Sequence, residues 1–491
     1  MSVPCVRNHA FLAFAVLLVL AVSVAMPSSA QVSLVQLSED TFTNASSQHM
    51  TEVEPSSFTW GSTIVSAFQV ARIYGGGGAD IGFATSTDGG AHWMSGYLPG
   101  ITIFQGNGTY QAASDAAVAY DALHGVWLIS TLPIGNSTAV AVSRSTDGIN
   151  WSNPFFATTA GGPDKNWIVC DNSPASKFYG HCYSEWDSTN SGDLIQMSTS
   201  TDGGMTWSTP VATQGNDFGI GGIPLVKPNG KVIVPILGFN GFVQAFSSTN
   251  GGQSWTAAVN VGQFINHGEA GDIRSAGLPS AAIDAKGKVY VVWPDCRFRT
   301  NCSTNDMVMS KSGNGTTWTV AKRIPIDPVA SGVDHFISGM AIEPGTSGTT
   351  AHIGLAYYFY PKSNCGNNCQ LSVGFIQSST GGATWSAPVK LGGPMSLTWL
   401  PDTFSGRMVA DYIAVGFGGG KAFPIFALAQ APNGTLFHEA IYTTASGLAP
   451  VGPELEMLSS EGDRPIPGAK SDHLLKVFVD NEVPGGPPER D

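Results

Sequence analysis

The sequence predicts an all-β fold: a β-propeller of four-stranded blades, seven favoured with six as the alternative, its ring closed by the N-terminal strand. Three observations carry this. A Ser-x-Asp-Gly turn ending in Trp, with Asn or Thr in place of Asp in three copies, recurs six times along 491 residues. Alternating apolar strands precede the copies. Only 12% of residues are charged while 60 are Gly and 30 are Pro, a composition that argues against coiled coil, long exposed helices and disorder.

Three copies of the turn are intact: Ser86-Thr-Asp-Gly-Gly-Ala-His-Trp93, Ser145-Thr-Asp-Gly-Ile-Asn-Trp151 and Ser200-Thr-Asp-Gly-Gly-Met-Thr-Trp207. Three are decayed: Ser248-Thr-Asn-Gly-Gly-Gln-Ser-Trp255, Ser312-Gly-Asn-Gly-Thr-Thr-Trp318 and Ser378-Ser-Thr-Gly-Gly-Ala-Thr-Trp385. Asp or Asn followed by Gly supplies the positive φ of a tight hairpin, and the Asp side chain bonds nearby amides. The Trp is then placed to pack between neighbouring sheets. Such a turn is scaffold, so Asp88, Asp147 and Asp202 receive no catalytic role.

Strand-like runs lie upstream of each turn. Ile81-Gly-Phe-Ala-Thr leads into the first and Ala139-Val-Ala-Val-Ser into the second; the third unit adds Asn166–Cys170 and His181–Trp186, and the fifth Ser280–Asp284 and Val289–Trp293. Four strands in roughly 40–60 residues is the size of a propeller blade. A seventh unit lacks the turn. Asp411–Val415, Lys421–Leu428 and Thr435–Tyr442 supply three strands and Val32–Leu37 the fourth, a closure that leaves no free sheet edge.

At the N-terminus, Arg7 and His9 precede an apolar run from Ala10 to Met26 and then Pro27-Ser-Ser-Ala30. That order is a secretory signal cleaved after Ala30, an uncleaved anchor being the alternative. The expected organisation is 1–30 signal peptide, 31–446 propeller and 447–491 a Pro/Gly-rich disordered tail. The mature chain is expected to be secreted, or periplasmic in a Gram-negative host, and monomeric. Its cysteines fall in near pairs, Cys170/Cys182, Cys296/Cys302 and Cys365/Cys369, read as disulfides of an oxidising compartment. A formal charge of -13 makes nucleic acid an unfavourable partner and leaves no polybasic membrane patch.

The six turns resemble the Asp-box (BNR) repeats of the sialidase superfamily, over about residues 31–446. The resemblance implies a sialidase-like propeller acting on extracellular, acidic glycans as an exo-α-sialidase-type glycoside hydrolase. Asp boxes also occur in lectin-like binders and polysaccharide lyases, so a non-catalytic glycan- or protein-binding propeller and a lyase on uronate-containing glycans are the alternatives. Sialidases carry an Arg-Ile-Pro motif, three arginines that grip the substrate carboxylate, an Asp acid/base and a Tyr nucleophile paired with Glu. The nearest match here is Arg72-Ile73-Tyr74, which lacks the Pro.

The face opposite the Asp-box turns gathers the starts of the first strands and the ends of the second. It receives Glu52, Glu54, Arg72, Asp115, Asp164, Lys165, Asp187, Arg274, Asp295, Arg297, Arg299, His335, Arg407, Asp411 and Tyr412. Arginine forks suit a carboxylate or sulfate, and neighbouring carboxylates can be tuned for proton transfer. Arg72, Arg274, Arg297 and Arg407 are therefore the candidate substrate-binding residues. Asp115 and Asp164 are candidate acids, Glu269 a base for a tyrosine, and Tyr412 the candidate nucleophile. The structural alternative is salt bridges between blades and caps on strand ends. No cofactor is required, although several carboxylates facing one channel could hold Ca2+. The sequence has no Gly-x-Ser-x-Gly, no His-Glu-x-x-His and no phosphate loop.

Overall fold

A computed structural model describes residues 1–2, 32–452 and 458–471. The expected signal peptide, apart from its first two residues, and the last twenty residues lie outside the described residues. The described chain is built from β-strands with a few short 3-10 turns.

The strands follow one another in four-stranded antiparallel units. The first unit holds Glu52–Trp60, Thr63–Arg72, Gly78–Ser86 and Met94–Tyr97; the second holds Ala112–Asp121, Val126–Ile134, Val140–Ser145 and Phe155–Thr158. A single pairing, Gly78 with Ala113, joins these two. The third holds Pro163–Cys170, Cys182–Ser188, Leu194–Ser200 and Val211–Ala212. In the fourth the first strand is split into Gly219–Ile220 and Leu225–Val226, ahead of Val232–Gly238, Phe242–Ser248 and Val259–Gln263. The fifth runs Ser280–Ile283, Val289–Asp295, Asp306–Ser312 and Lys322–Arg323, and the sixth Asp334–Ile342, Ile353–Tyr360, Gln370–Ser378 and Val389–Ser396. In the last unit Ala414–Gly418, Lys421–Ala429 and Glu439–Thr444 are completed by Leu34–Gln36, with Leu34 opposite Thr444.

The first strands face a common axis. Phe58, Val118, Val169, Leu225, Ile283, Ile342 and Val415, one from each unit, line the same cavity of about 220 Å3. Between units the core is apolar: Ile233, Leu237, Val243, Val291, Trp293 and Val308 form one buried cluster across the fourth and fifth. Full burial of each such side chain is worth about 1.5–3 kcal/mol.

The turn motif behaves as local chemistry dictates. Asp88 Oδ1 accepts from the amides of Ala91 and His92 at 3.1 and 3.0 Å, while Ser86 Oγ accepts from the Gly90 amide at 2.8 Å. Asp147 and Asp202 repeat these bonds. The decayed copies keep the acceptor: Asn250 takes the Ser254 amide at 3.1 Å, Asn314 the Thr317 amide at 2.9 Å, and Thr380 the Thr384 amide at 2.9 Å. Each Trp packs on the preceding unit. Trp151 meets Phe83, Trp255 meets Tyr183, and Trp93 meets Phe423 of the last unit.

All three cysteine pairs form disulfides: Cys170–Cys182, Cys296–Cys302 and Cys365–Cys369. The first lies between directly opposed residues of adjacent strands. In two places the chain departs from expectation. Asp411 and Tyr412 precede the last first strand instead of opening it, because Asp411 is drawn into the ion-pair network described below. Parts of the segment read as a disordered tail pair with the body: Leu448 with Ala422, Leu458 with Trp385, and the Ile466 amide with the Arg297 carbonyl. These backbone bonds are not encoded by the Pro/Gly-rich composition that prompted the expectation.

Candidate functional site

The site begins with an irregularity in the first strands. Their pairing to the second strands shifts register between Val53 and Ser56, between Ser114 and Ala117, and between Asp164 and Trp167. The residue inside each bulge adopts a left-handed backbone: Glu54 at φ 55°, Asp115 at φ 45° and Lys165 at φ 50°. At the corresponding points of the next three units stand Gly221, Gly277 and Ile337, with φ of 68°, 66° and 45°. A left-handed conformation costs a non-glycine residue about 1–2 kcal/mol. It is retained here at three charged positions, and bulges of this kind re-aim side chains.

The re-aimed side chains meet. Lys165 Nζ lies 2.5 Å from Asp411 Oδ2, 3.2 Å from Asp115 Oδ1 and 3.7 Å from Glu54 Oε1. Arg274 donates to Asp411 from Nε at 3.0 Å and from Nη2 at 2.6 Å. Gln69 donates to Glu54 and to Ser114, and the Asp411 amide donates to Glu54. Tyr412 Oη lies 3.4 Å from Asp115 Oδ1, and its ring stands edge-on to Trp167 at 5.2 Å. Three carboxylates and two cations thus share one network, each residue no more than 3% exposed.

Burial sets the proton affinities. It pushes Glu54 well above the usual carboxylate range, with Lys165 opposing and Asp411 and Asp115 reinforcing. Burial pulls the Lys165 ammonium down, but Asp115, Asp411 and Glu54 outweigh it and hold the group charged far above its ordinary value. Asp187, opposite Asp164 across the third unit, is raised by burial with Asp164 and Glu185 adding to the effect. Glu185 is raised by burial against the Gly222 amide.

Two segments join one another beside the network. The stretch between the fourth and fifth units carries Arg274, and Ile273 bridges in parallel to Arg407 on a small hairpin, Asp402–Thr403 with Gly406–Arg407. The Arg274 amide donates to the Arg407 carbonyl at 2.7 Å and the Arg407 amide to the Asp272 carbonyl at 2.8 Å. Arg274 links this interlocked pair to Asp411 of the network.

Of the candidates read from sequence, Asp115, Arg274 and Tyr412 come together. Asp164 accepts from the Lys165 amide and sits beside the network. Arg72 is wholly buried and donates to Gln69, which itself donates to Glu54, and to the Gly77 carbonyl. Arg297 turns back onto Asp295 at 2.7 Å, because the loop closed by Cys296–Cys302 places it beside that carboxylate. Arg299 is held by Asp306 and Asp327 inside the fifth unit. The Arg407 side chain is 30% exposed and 4.0 Å from Asp402. Glu269 accepts from Asn305, and Asp115 lies beside the Tyr412 hydroxyl. Glu54, Lys165 and Asp411 complete the network although they lie outside the chosen catalytic and binding set. Their signal is the repeat register, which aligns Glu54, Asp115 and Lys165.

No protein-family model and no curated protein matches the chain. Solved structures similar to it include the leech intramolecular trans-sialidase, at 13% identity over 66% of this chain and 67% of that one, with a TM-score of 0.45. They include a protein of unknown function from Dyadobacter fermentans, at 16% identity over 71% and 98% with a TM-score of 0.45. The NanB sialidase from Streptococcus pneumoniae is similar at 15% identity over 85% and 71%, TM-score 0.41. Likeness at this level decides nothing about chemistry, which has to come from the side chains.

Among the described residues two groups lie close enough to share a metal ion: Asp121 with Cys170 and Cys182, and Asp306 with Asp327 and His335. The cysteines of the first are joined as a disulfide. The carboxylates of the second are engaged by Arg299 and Arg323. Neither group offers the six to eight free oxygens that Ca2+ takes.

At the other end of the axis, where the first strands run into their turns, the space widens to about 910 Å3. Its wall includes Phe58, Trp60, Ile283, Ile342 and Phe417, and its charged lining residues are Asp171, Asp284 and Glu343. Among the described residues no Lys, Arg or His lines it.

Proposed function

We propose that the chain is a secreted, sialidase-like propeller of seven blades, closed by its N-terminal strand, that binds glycan without hydrolysing it. The observation that carries the non-catalytic reading is the state of the cations. The Arg274 fork is filled by Asp411, and Lys165 is held by Asp411 and Asp115, all of them buried. A hydrolase for acidic sugars needs open guanidinium groups to orient a substrate carboxylate, and a buried fork occupied by a protein carboxylate cannot do so. The seven-bladed reading is supported by the seven first-strand residues around one cavity and by the pairing of Leu34 with Thr444. Three disulfides fit an oxidising compartment.

A hydrolase is the second reading, and one feature favours it: Tyr412, beside Asp115, borders a small space on the axis lined also by Lys165 and Trp167. Turnover of a fluorogenic sialoside by the purified mature chain and its Tyr412→Phe variant separates the two. The binding reading expects no release above a mock preparation. Release abolished by Tyr412→Phe would establish the hydrolase instead. Ultraviolet-absorbing unsaturated products from a uronate polymer would establish the lyase.

A further inference from the structure

The wide mouth at the turn end of the axis has the make-up of a ligand site, and it lies away from the buried ion-pair network. Its volume of about 910 Å3 falls in the range of roughly 300–1,000 Å3 typical of small-molecule pockets. Trp60 lines it and is 41% exposed, an unusual state for so large an apolar ring. The ring is held from behind: it stacks on Tyr120 at 5.1 Å and 27°, and Tyr120 leans on Trp127 at 4.9 Å.

We infer that this mouth binds a neutral saccharide seated on Trp60. A rigid, backed indole offers an apolar face to the C–H side of a sugar ring at little entropic cost. Glu343, whose side chain is partly exposed on the wall, can accept hydrogen bonds from the ring's hydroxyl groups. Charge decides between sugar classes. With Asp171, Asp284 and Glu343 in the lining, Glu343 paired to His352 at 2.9 Å, and no Lys, Arg or His in the lining among the described residues, a sialic acid, uronate or sulfated sugar would meet a lining of its own sign of charge. The inference rests on the reading of the chain as a glycan-binding propeller and replaces the acidic ligand expected from resemblance with a neutral one.

The test is an array of neutral gluco-, manno-, galacto- and xylo-oligosaccharides alongside sialylated and uronate oligosaccharides. Titration of the strongest binder then follows into wild type, Trp60→Ala and Trp60→Tyr, each checked by thermal melting. A neutral oligosaccharide is expected to bind, to lose roughly tenfold or more in affinity with Trp60→Ala, and to change less than about threefold with Trp60→Tyr. A neutral sugar whose affinity ignores Trp60→Ala would overturn the site while leaving the glycan-binding reading standing. Binding confined to acidic sugars, or Trp60-dependent capture of a cationic peptide in place of any sugar, would overturn the ligand class. Binding of no glycan at all by the folded chain would overturn both.

Discussion

Arg274 closes its guanidinium on Asp411 across 137 residues of sequence, with Nε at 3.0 Å and Nη2 at 2.6 Å from the carboxylate oxygens. Lys165 reaches the same carboxylate across 246 residues. One acid therefore ties together the third unit, the last unit and the segment that joins the fourth to the fifth. Its amide also donates to Glu54 of the first unit, so Asp411 fastens the first and last units to the middle of the chain.

Removing one member of such a network leaves a buried charge without its partner. Arg274→Ala is therefore expected to destabilise the protein by about 3–5 kcal/mol. The paired change Arg274→Met with Asp411→Leu should cost less than the sum of its single variants, since no lone charge remains. Denaturant unfolding of the four proteins reads both numbers. A single-variant cost below about 1 kcal/mol would mean that the pair behaves as a surface ion pair.

The contrast with the turns shows why some features were legible in the sequence and others were not. Every bond of an Asp box lies within a few residues, as in Ser86 to Gly90 and Asp88 to His92, so the motif can be read from the chain directly. The strands and the disulfides are nearly as local, with cysteine separations of 12, 6 and 4. The network depends instead on bulges at Glu54, Asp115 and Lys165. These positions are not glycine, so nothing in their residue type announces a left-handed backbone. The sequence marks the right face yet does not say which way a side chain turns. Arg72 goes to the Gly77 carbonyl and Arg297 to Asp295, two short-range choices that no spacing rule separates from an open anion fork.

Buried carboxyls give a pH dependence with a definite sign. Burial raises Glu52 to about 8, with the Ser38 hydrogen bond opposing, and raises Asp334 to about 7. Glu185, Asp187 and Glu439 move in the same direction, again chiefly through burial. A carboxyl that binds its proton more tightly in the folded state adds no penalty below its unfolded value near 4. As pH rises from there to the folded value, the unfolded state ionises first and stability falls. The melting temperature is therefore expected to be highest at about pH 4–5 and to drop by roughly 5 °C or more by pH 8. Glu52→Gln should flatten part of that slope. A melting temperature that climbs steadily from pH 5 to pH 8 would contradict the assignment.

Within the Asp boxes, acceptor chemistry should matter more than charge. Asn250 and Asn314 already accept the amides that Asp202 accepts elsewhere. Asp147→Asn is accordingly expected to change stability by less than about 0.5 kcal/mol, whereas Asp147→Ala, which orphans the Ile149 and Asn150 amides, should cost about 1–2 kcal/mol. The Trp of the motif carries more. Trp255 is 1% exposed between Tyr183 and Phe246, and Trp255→Ala should cost about 3–5 kcal/mol. Chemical denaturation ranks the three, and a loss for Asp147→Asn as large as that for Asp147→Ala would show that the charge itself is required.

The three disulfides should not contribute equally. Cross-linking restricts the unfolded chain more when the closed loop is longer, which favours Cys170–Cys182 at a separation of 12 over Cys365–Cys369 at 4. The former is also buried, with Cys170 at 4% and Cys182 at 0%, and joins two strands of one unit, while Cys365 lies in a turn that is largely exposed. Replacing both cysteines of a pair by alanine should cost about 3 kcal/mol for Cys170–Cys182 and about 2 kcal/mol or less for Cys365–Cys369. Under a reductant titrated at constant denaturant, the Cys365–Cys369 bond should open first because a thiolate can reach it. If mass spectrometry after alkylation finds Cys170 and Cys182 modified before Cys365, opening of the third unit must precede any reduction, and the order of stability argued from burial would be reversed.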